Sequence, residues 1–325
     1  MSAWAIAAEA PGGPDRMRRV EIPVPEPGPR QVRVRHTAIG INYLDVYFRM
    51  GRYPWPVDAD LILGSEAAGV VEACGAEVSG FEAGQRVAYT IPNGAYATHR
   101  TVAARHLVRL PDGIADETAA AAMLKGLTVH YLVNRSFAIE KGHSVLFHAA
   151  AGGTGLIAGQ WIASLGATAI GTAGGPEKCA LAAQHGYAHS IDYRGEDFVA
   201  RVKEITGGAG VEAVYDSVGA DTWRGSLQCL KPFGTLVNFG QSSGPAEDFR
   251  LQDLASGSFT ATRPMLYHFT ELPGWLEKAS AELFERILSG ALRIPVNQTF
   301  PLAEAAAAHE ALEARATTGA TVLIP

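Results

Sequence analysis

The stretch HAAAGGTGLIAGQW, from His148 to Trp161, is the most informative part of this chain. It follows the apolar, strand-like run Ser144–Phe147 and opens a helix-like run. Its small residues fall as Ala150-x-Gly152-x-x-Gly155, which is the dinucleotide-binding fingerprint with alanine in the first glycine position. Small residues there let backbone N–H groups at a helix N-terminus approach a pyrophosphate closely. The stretch therefore predicts a nucleotide-binding turn; a strand–helix packing joint that binds nothing is the alternative.

The residues after the next strand-like run, Ala167–Thr172, indicate which cofactor suits this turn. Folds that prefer NAD place Asp or Glu near the end of that strand, where the carboxylate accepts hydrogen bonds from the ribose. Here the run continues as AGGP with no carboxylate before Glu177, and Lys178 follows at once. A cation without a carboxylate suits a ribose that carries a 2′-phosphate. The sequence favours NADP(H), and an ordinary solvated lysine is the alternative.

Composition and charge describe a globular chain. Its 325 residues are too many for one ordinary core and suggest two domains, with 47% hydrophobic and 18% charged residues. The net charge of −6 and the lack of a basic run argue against nucleic acid and anionic membranes as partners. No signal-peptide pattern or membrane-length apolar stretch is recognisable. The 3 widely spaced cysteines form no disulfide framework, so we expect a cytoplasmic protein.

Two patterns of secondary structure divide the chain. Up to about residue 124, short β-branched runs alternate with polar residues and are separated by proline and glycine, which predicts a β-rich domain. From Lys125 onward, strand-like and helix-like runs alternate, which predicts a doubly wound parallel sheet. The predicted strands of this sheet are Val145–Phe147, Thr168–Thr172, His189–Tyr193, Ala213–Asp216, Thr235–Phe239 and Phe259–Thr262. The predicted helices include Glu177–His185, Glu196–Ile205, Asp221–Leu230, Ala279–Ser289 and Leu302–Arg315.

The last strand-like run, Thr321–Ile324, needs a pairing partner, because a lone strand leaves its backbone groups unsatisfied. We expect that partner in the first domain. Phe259–Thr262 would end the parallel sheet as an edge strand of apolar and β-branched character. Exposed edges of this kind invite pairing with another strand.

Several stretches of the chain resemble the zinc-free quinone oxidoreductases, the zeta-crystallin-like branch of the medium-chain dehydrogenase/reductase superfamily. The resembling stretches are GINYLDVYFRMGRYP (Gly40–Pro54), GSEAAGVVEACGAEVSGFEAGQRV (Gly64–Val87), LKGLTVHYL (Leu124–Leu132), HAAAGGTG, YDSVG (Tyr215–Gly219) and ARAT (Ala314–Thr317). The resemblance implies an α/β fold with a GroES-like catalytic domain of residues 1–124 and 265–325. Residues 125–264 would form a Rossmann domain that binds NADPH. The implied activity is NADPH-dependent quinone reduction. The implied assembly is a homodimer with a twofold axis, joined through edge strands such as Phe259–Thr262.

The chain differs from the zinc-dependent alcohol dehydrogenases of that superfamily at the metal position. Those enzymes carry a zinc-binding histidine where this chain has Ser65, in the motif Gly64-Ser65-Glu66. A cysteine-rich structural-zinc lobe is also missing from the sequence, so we expect no metal. Without a Lewis acid, reduction of an electron-poor acceptor is favoured over oxidation of an alcohol. Quinones and α,β-unsaturated ketones both qualify, and both acceptor classes stay open.

The resemblance implies roles for individual residues. Asn42 would hold the nicotinamide carboxamide or ribose, while Tyr47 or Tyr53 would orient the acceptor oxygen or donate a proton to it. Tyrosines that only wall the pocket are the alternative. The implied cofactor contacts are Asn42 and Thr128 near the nicotinamide half, Gly152, Gly153, Thr154 and Gly155 at the pyrophosphate, Gly174, Lys178 and Tyr193 at the 2′-phosphate, Phe239, Gly240 and Gln241 against the nicotinamide, and Arg263 and Arg315 nearby. A function of another class, a crystallin or RNA-binding role, is disfavoured by the acidic charge.

Overall fold

A computed structural model describes residues 3–325. The chain forms two compact units. The first contains the residues up to Lys125 together with 270–288 and 294–325, and the second contains residues 126–269 and 289–293. The boundary after the first segment falls inside one helix, between Lys125 and Gly126.

The strands and helices are numbered in chain order. The strands are β1 (Ala3–Ala8), β2 (Met17–Ile22), β3 (Gln31–Gly40), β4 (Leu61–Ile62), β5 (Glu66–Cys74), β6 (Arg86–Thr90), β7 (His99–Ala103), β8 (Leu107–Arg109), β9 (Ser144–Phe147), β10 (Thr168–Ala173), β11 (Tyr187–Asp192), β12 (Val211–Asp216), β13 (Leu230–Asn238), β14 (Thr260–Thr262), β15 (Val296–Pro301) and β16 (Ala320–Ile324). The α-helices are α1 (Tyr43–Arg49), α2 (Asp116–Tyr131), α3 (Gly153–Ser164), α4 (Pro176–Ala183), α5 (Phe198–Ile205), α6 (Trp223–Cys229), α7 (Leu266–Thr270), α8 (Trp275–Leu288) and α9 (Ala305–Glu313).

The first unit is built on two sheets. One has the order β2-β1-β4, and the other has the order β15-β16-β3-β5-β6-β8 with β7 paired to β3. The terminal strand β16 pairs antiparallel with β3 and parallel with β15, so the expected partner in the first domain is confirmed. Ile39, Leu63, Tyr89 and Leu323 are among the fully buried side chains of this unit's core.

The second unit contains a six-stranded sheet in the order β11-β10-β9-β12-β13-β14. All of its pairings are parallel, which confirms the predicted Rossmann-type sheet. The inner strands are almost continuously apolar and buried, as parallel strands covered on both faces must be. Leu146, Ile170, Val214 and Leu236 form part of this core.

Strand β13 differs most from its sequence prediction. It begins at Leu230 instead of Thr235, because the chain pairs with β12 once before an irregularity and again after it. Within the irregularity Phe233 adopts a left-handed backbone, with φ 66°. Pro232 and Gly234 indicated a turn at this point, and pairing with β12 keeps the segment in the sheet.

The strand order defines where a ligand would bind in the second unit. From β9 the chain first adds β10 and β11 on one side, then crosses to β12 on the other side. In open α/β sheets, ligands bind beyond the carboxyl ends of the strands at such a switch point. The turn between β9 and α3 lies at this place. Within residues 3–325, no helix is both long and apolar enough to cross a bilayer.

Candidate cofactor and active site

Backbone hydrogen bonds attach the turn after β9 to both neighbouring strands. The N–H of His148 donates to Tyr215 of β12 at 3.0 Å, and the N–H of Ala150 donates to Thr172 of β10 at 2.9 Å. Between them, Ala149 has a left-handed φ of 57°. Such a conformation is costly for a residue other than glycine and persists where the surroundings enforce it.

Two glycines bring the start of α3 close to this turn. Gly152 is the N-cap residue of α3, and no side chain accepts a hydrogen bond there. At Gly155 a Cβ atom would lie 2.4 Å from the carbonyl oxygen of Ala149, so no larger residue fits without displacement. Gly153 and Thr154 complete the first turn of the helix. Its uncapped backbone N–H groups suit a diphosphate.

A buried polar network stabilises the turn after β9. Ser226 donates to Asp216 at 2.9 Å, His148 Nε2 contacts the Ser226 hydroxyl at 3.0 Å, and His148 Nδ1 contacts the Thr172 hydroxyl at 2.8 Å. Burial lowers the pKa of His148, which keeps its imidazole neutral. A neutral ring that donates through Nε2 accepts through Nδ1. The network is fully paired and holds β9, β10 and α6 together.

A second turn follows β10 at Gly174 and Gly175. Gly175 has a φ of 104°, a conformation that favours glycine. Its N–H donates to the Asp192 carboxylate at 2.8 Å, and the same oxygen accepts from the N–H of Arg194 at 3.0 Å. Asp192, at the end of β11, is thus engaged with backbone groups and fastens this turn to the neighbouring strand.

Polar and cationic side chains surround the second turn. A Cβ on Gly174 would lie 2.7 Å from the Tyr193 hydroxyl and 3.2 Å from Arg194 Nε, so both groups stand over the turn. Lys178 lies in the first turn of α4 and is half-buried. The sequence prediction omitted Arg194, although a basic residue directly after Tyr193 was a usable signal. A guanidinium over this turn and a lysine in the first turn of the helix that follows it suit a phosphate monoester.

The loop after β13 lies against the loop after β12. The N–H of Phe239 donates to Asp216 at 2.8 Å, and a Cβ on Gly240 would lie 2.6 Å from the Ser217 carbonyl oxygen. Gln241 follows and is half-buried. Arg263 reaches this edge of the sheet, where its guanidinium donates to the Asn238 carbonyl at 3.3 Å. Thr128, on the α2 part of the second unit, is 6% exposed.

The remaining sequence-predicted residues belong to the first unit. Asn42 is the N-cap residue of α1, and the rings of Tyr47 and Tyr53 pack edge to face with centroids 5.9 Å apart. Tyr47 is 5% exposed and Tyr53 is half-buried. The Arg52 guanidinium lies 5.8 Å from the centroid of the Tyr47 ring. Arg315 follows α9, is exposed and has a left-handed φ of 56°.

Ser65, at the position of the zinc ligand in related dehydrogenases, lies in a buried hydrogen-bond network. Its hydroxyl donates to Asp45 at 2.5 Å, and the Tyr96 hydroxyl donates to the same carboxylate at 3.1 Å. Tyr96 also contacts His309 Nε2 at 2.9 Å. Burial raises the pKa of Asp45 to about 7 and lowers the pKa of His309 to about 3.

The donor set around Ser65 does not fit zinc. A hydroxyl engaged with a carboxylate replaces the imidazole, and Asn42 provides an amide instead of a thiolate or imidazole. Across the described residues, 3–325, no group of His, Cys, Asp and Glu side chains is arranged to hold a metal ion.

Together, a Rossmann unit with a glycine turn and a β-sheet unit with the G-x-E motif define a two-domain dehydrogenase of the medium-chain class. Family models agree with both units: residues 28–112 match the alcohol dehydrogenase GroES-like domain, and residues 153–281 match the zinc-binding dehydrogenase domain.

Known proteins resemble this chain over nearly its whole length. The quinone oxidoreductase of Pseudomonas aeruginosa is 51% identical over 322 residues, which cover 98% of this chain and 99% of that protein. The 2-haloacrylate reductase of a Burkholderia species is 44% identical, covering 97% of this chain and 96% of that protein. The crystal structure of Escherichia coli quinone oxidoreductase complexed with NADPH superposes with a TM-score of 0.97 at 45% identity, over 99% of this chain and 100% of that one. The chain belongs to the quinone oxidoreductase family of the medium-chain dehydrogenases/reductases.

Proposed function

We propose that this protein is an NADPH-dependent quinone reductase that works without zinc. The observation that carries the proposal is the pair of turns in the second unit: Gly155 with the uncapped start of α3, and Gly174 beneath Tyr193 and Arg194. The first turn fits a diphosphate and the second fits a ribose 2′-phosphate. The similar enzyme of Escherichia coli was crystallised with NADPH, which supports the choice of cofactor.

The bound NADPH supplies a hydride, which together with one proton converts a quinone to a hydroquinone. The chain's own residues bind and orient. The first-turn N–H groups of α3 would hold the diphosphate, and Lys178, Tyr193 and Arg194 would hold the 2′-phosphate. Phe239 and Gly240, in the loop that packs against Ser217, would face the nicotinamide, as the family resemblance implies. Orientation of this kind supplies much of the acceleration when the acceptor is intrinsically reactive.

The acceptor oxygen would be handled by the first unit. We assign the hydroxyls of Tyr47 and Tyr53 to this task, as hydrogen-bond donors to the oxygen that gains charge. Asn42 would donate to the nicotinamide carboxamide or to the same acceptor oxygen. A phenol can donate a hydrogen bond to such an oxygen and can give up its proton to a stronger base. Arg263 and Arg315 are assigned to the cofactor as in the family resemblance, as are Thr128 and Gln241.

A second candidate is reduction of activated alkenes, including α,β-unsaturated carbonyl compounds. The observation in its favour is the 44% identity to a 2-haloacrylate reductase over 97% of this chain. Both acceptors take a hydride from the same cofactor.

The test is NADPH oxidation against matched quinones, conjugated enones and 2-haloacrylates, with and without a strong chelator. We expect quinones to give the highest kcat/KM, with no effect of the chelator. Higher kcat/KM for the alkenes would establish the second candidate. Loss of activity on chelation, with recovery on addition of zinc, would overturn the zinc-independent mechanism.

We further propose a homodimer formed through β14. This edge strand has exposed residues at Thr260 and Ala261. Phe233 and Leu251, in segments next to it along the sheet and the chain, are 79% and 78% exposed. Exposed apolar side chains beside an open sheet edge favour association with a second copy. Light scattering at micromolar concentration should give the dimer mass, and a monomer mass would refute this assembly.

We place the protein in the cytoplasm. Its three cysteines are Cys74, Cys179 and Cys229, and all are free thiols. A disulfide-free protein that uses NADPH as reductant suits a reducing compartment. Cell fractionation with an antibody against the protein tests this location.

A further inference from the structure

A buried ion pair in the first unit has no role in the function proposed so far. Lys125 Nζ donates to Glu66 Oε1 at 2.5 Å, with side-chain exposures of 7% and 0%. The N–H of Leu124 donates to the other carboxylate oxygen of Glu66 at 2.6 Å. Removing two charges from water carries a desolvation cost that their attraction does not reliably repay. Stability alone is therefore a weak reason for this pair.

The same carboxylate binds the side chain of Asn42. Asn42 Nδ2 donates to Glu66 Oε1 at 2.9 Å, the oxygen that also accepts from Lys125. Asn42 and Asp45 form a reciprocal capping box at the start of α1, in which the Asn42 N–H donates to Asp45 at 2.9 Å. Asp45 thus holds the backbone at Asn42, and Glu66 holds the side-chain amide. Because a primary amide has two N–H bonds, one donor remains for a ligand.

The space around Glu66 is tightly closed. A Cβ at Gly40 would lie 2.3 Å from Glu66 Oε1 and 2.2 Å from the Ala120 carbonyl oxygen. Only glycine at this position lets the end of β3 pass between the carboxylate and α2. Glu66 therefore has little room to change its conformation. Its hydrogen bond to Asn42 also fixes the orientation of the Asn42 amide.

We propose that Lys125 and Glu66 are positioning residues for the reduction. They fix the Asn42 amide so that its remaining N–H donates to a ligand carbonyl oxygen. That oxygen belongs either to the nicotinamide carboxamide or to the quinone, and the affinity for NADPH distinguishes the two. The inference rests on the proposed function, because it gives Asn42 its ligand.

The decisive variant is Glu66→Gln. A glutamine is close to glutamate in shape, but its amide can donate to Asn42, which removes the preference for one orientation of the Asn42 side chain. We expect kcat/KM for a quinone to fall at least about tenfold, a loss of one hydrogen bond in the transition state. Lys125→Arg keeps the charge and should retain more activity than Lys125→Met.

A double variant separates positioning from a purely structural role. Asn42→Asp combined with Glu66→Gln reverses the hydrogen bond, since the introduced glutamine amide would now donate to the introduced aspartate carboxylate. Positioning predicts that the thermal midpoint recovers relative to Glu66→Gln while kcat/KM does not, because the donor toward the ligand is gone. Recovery of both quantities would show that the pair serves folding alone and would overturn the proposal.

The matched control is Glu212→Gln in the second unit. Glu212 accepts from Lys231 at 2.5 Å, so the control also breaks a Lys–Glu pair, but one outside the proposed catalytic machinery. It should leave kcat/KM unchanged. Glu66→Gln with kcat/KM and NADPH affinity within about twofold of the wild type would refute the positioning role.

Two further readouts complete the test. NADPH affinity, measured by fluorescence without a quinone, should weaken in Glu66→Gln if the carboxamide is the ligand. An unchanged NADPH affinity with a raised quinone KM assigns the donor to the quinone instead. If the wild type binds NADPH but reduces no quinone, the proposed function is wrong. The affinity measurement still decides whether Glu66 positions Asn42 toward the cofactor.

Discussion

Gly155→Ala tests whether α3 approaches the turn after β9 too closely for any side chain. The added Cβ would lie 2.4 Å from the carbonyl oxygen of Ala149 and 2.6 Å from that of Ala150. Ordinary contact begins near 3.4 Å, so a displacement of about 1 Å is required. Both obstructing atoms belong to the backbone of the turn. The turn cannot easily move away, because the Ala150 N–H is already bonded to the Thr172 carbonyl at 2.9 Å.

Such a displacement would affect both stability and binding. Overpacking of a rigid site costs about 1–3 kcal/mol. For a domain of this size, that lowers the thermal midpoint by roughly 2–10 °C. The separation of α3 from the turn also moves its N–H groups away from the diphosphate, and we expect NADPH affinity to fall at least about tenfold.

The assay combines thermal unfolding with NADPH titration by fluorescence. Gly195→Ala is the matched control, because a Cβ there meets nothing within 4 Å and the backbone is not left-handed. The control should change neither the midpoint nor the affinity. If Gly155→Ala also binds NADPH as the wild type does, with an unchanged midpoint, the close approach is not a requirement of this site.

Three further predictions concern cofactor choice, chemistry and pH. Lys178→Ala and Arg194→Ala should each weaken NADPH binding about tenfold or more and spare NADH, because only NADPH carries the 2′-phosphate; equal losses for both cofactors in titrations would contradict this. Tyr53→Phe should lower kcat by up to about a hundredfold without changing NADPH affinity, and more for a poor acceptor than for a good one. Tyr47→Phe is the parallel test in the same steady-state assay, and unchanged turnover in both variants would reduce the tyrosines to pocket walls. Because burial raises the pKa of Asp45 from 3.8 to about 7, the native protein holds a proton that the unfolded chain releases over that range. The unfolding free energy of the wild type should therefore fall by about 2–3 kcal/mol between about pH 5 and pH 8, relative to that of Asp45→Asn. Denaturant titration measures both free energies, and parallel pH profiles of the two proteins would disprove the prediction.

The architecture of both units was readable from the sequence because it depends on local patterns. Alternating apolar runs and helical spacing predicted the parallel sheet, and small residues at Gly152 and Gly155 predicted the turn after its first strand. Strand ends were less predictable where a segment such as the one around Phe233 leaves and rejoins the sheet. Pro232 indicates a turn locally, but pairing with β12 keeps the segment within β13.

The sequence determined only part of the preference for NADPH over NADH. The missing carboxylate after β10 and the presence of Lys178 are matters of spacing along the chain. The place of Arg194 over Gly174 depends on how β10 and β11 align, since these residues come from the ends of adjacent strands. Register brings them together, and register is decided by packing across the whole sheet.

The sequence by itself determined that this chain has a dinucleotide turn, two unlike domains and no histidine at the usual metal position. Only the tertiary structure decided what surrounds Asn42. Glu66 is 24 residues from Asn42 and 59 residues from Lys125, yet one oxygen of Glu66 bonds to both. The physical reason is that side-chain hydrogen bonds act over about 3 Å, and the segments that bear these groups meet only when β3, β5 and α2 have packed.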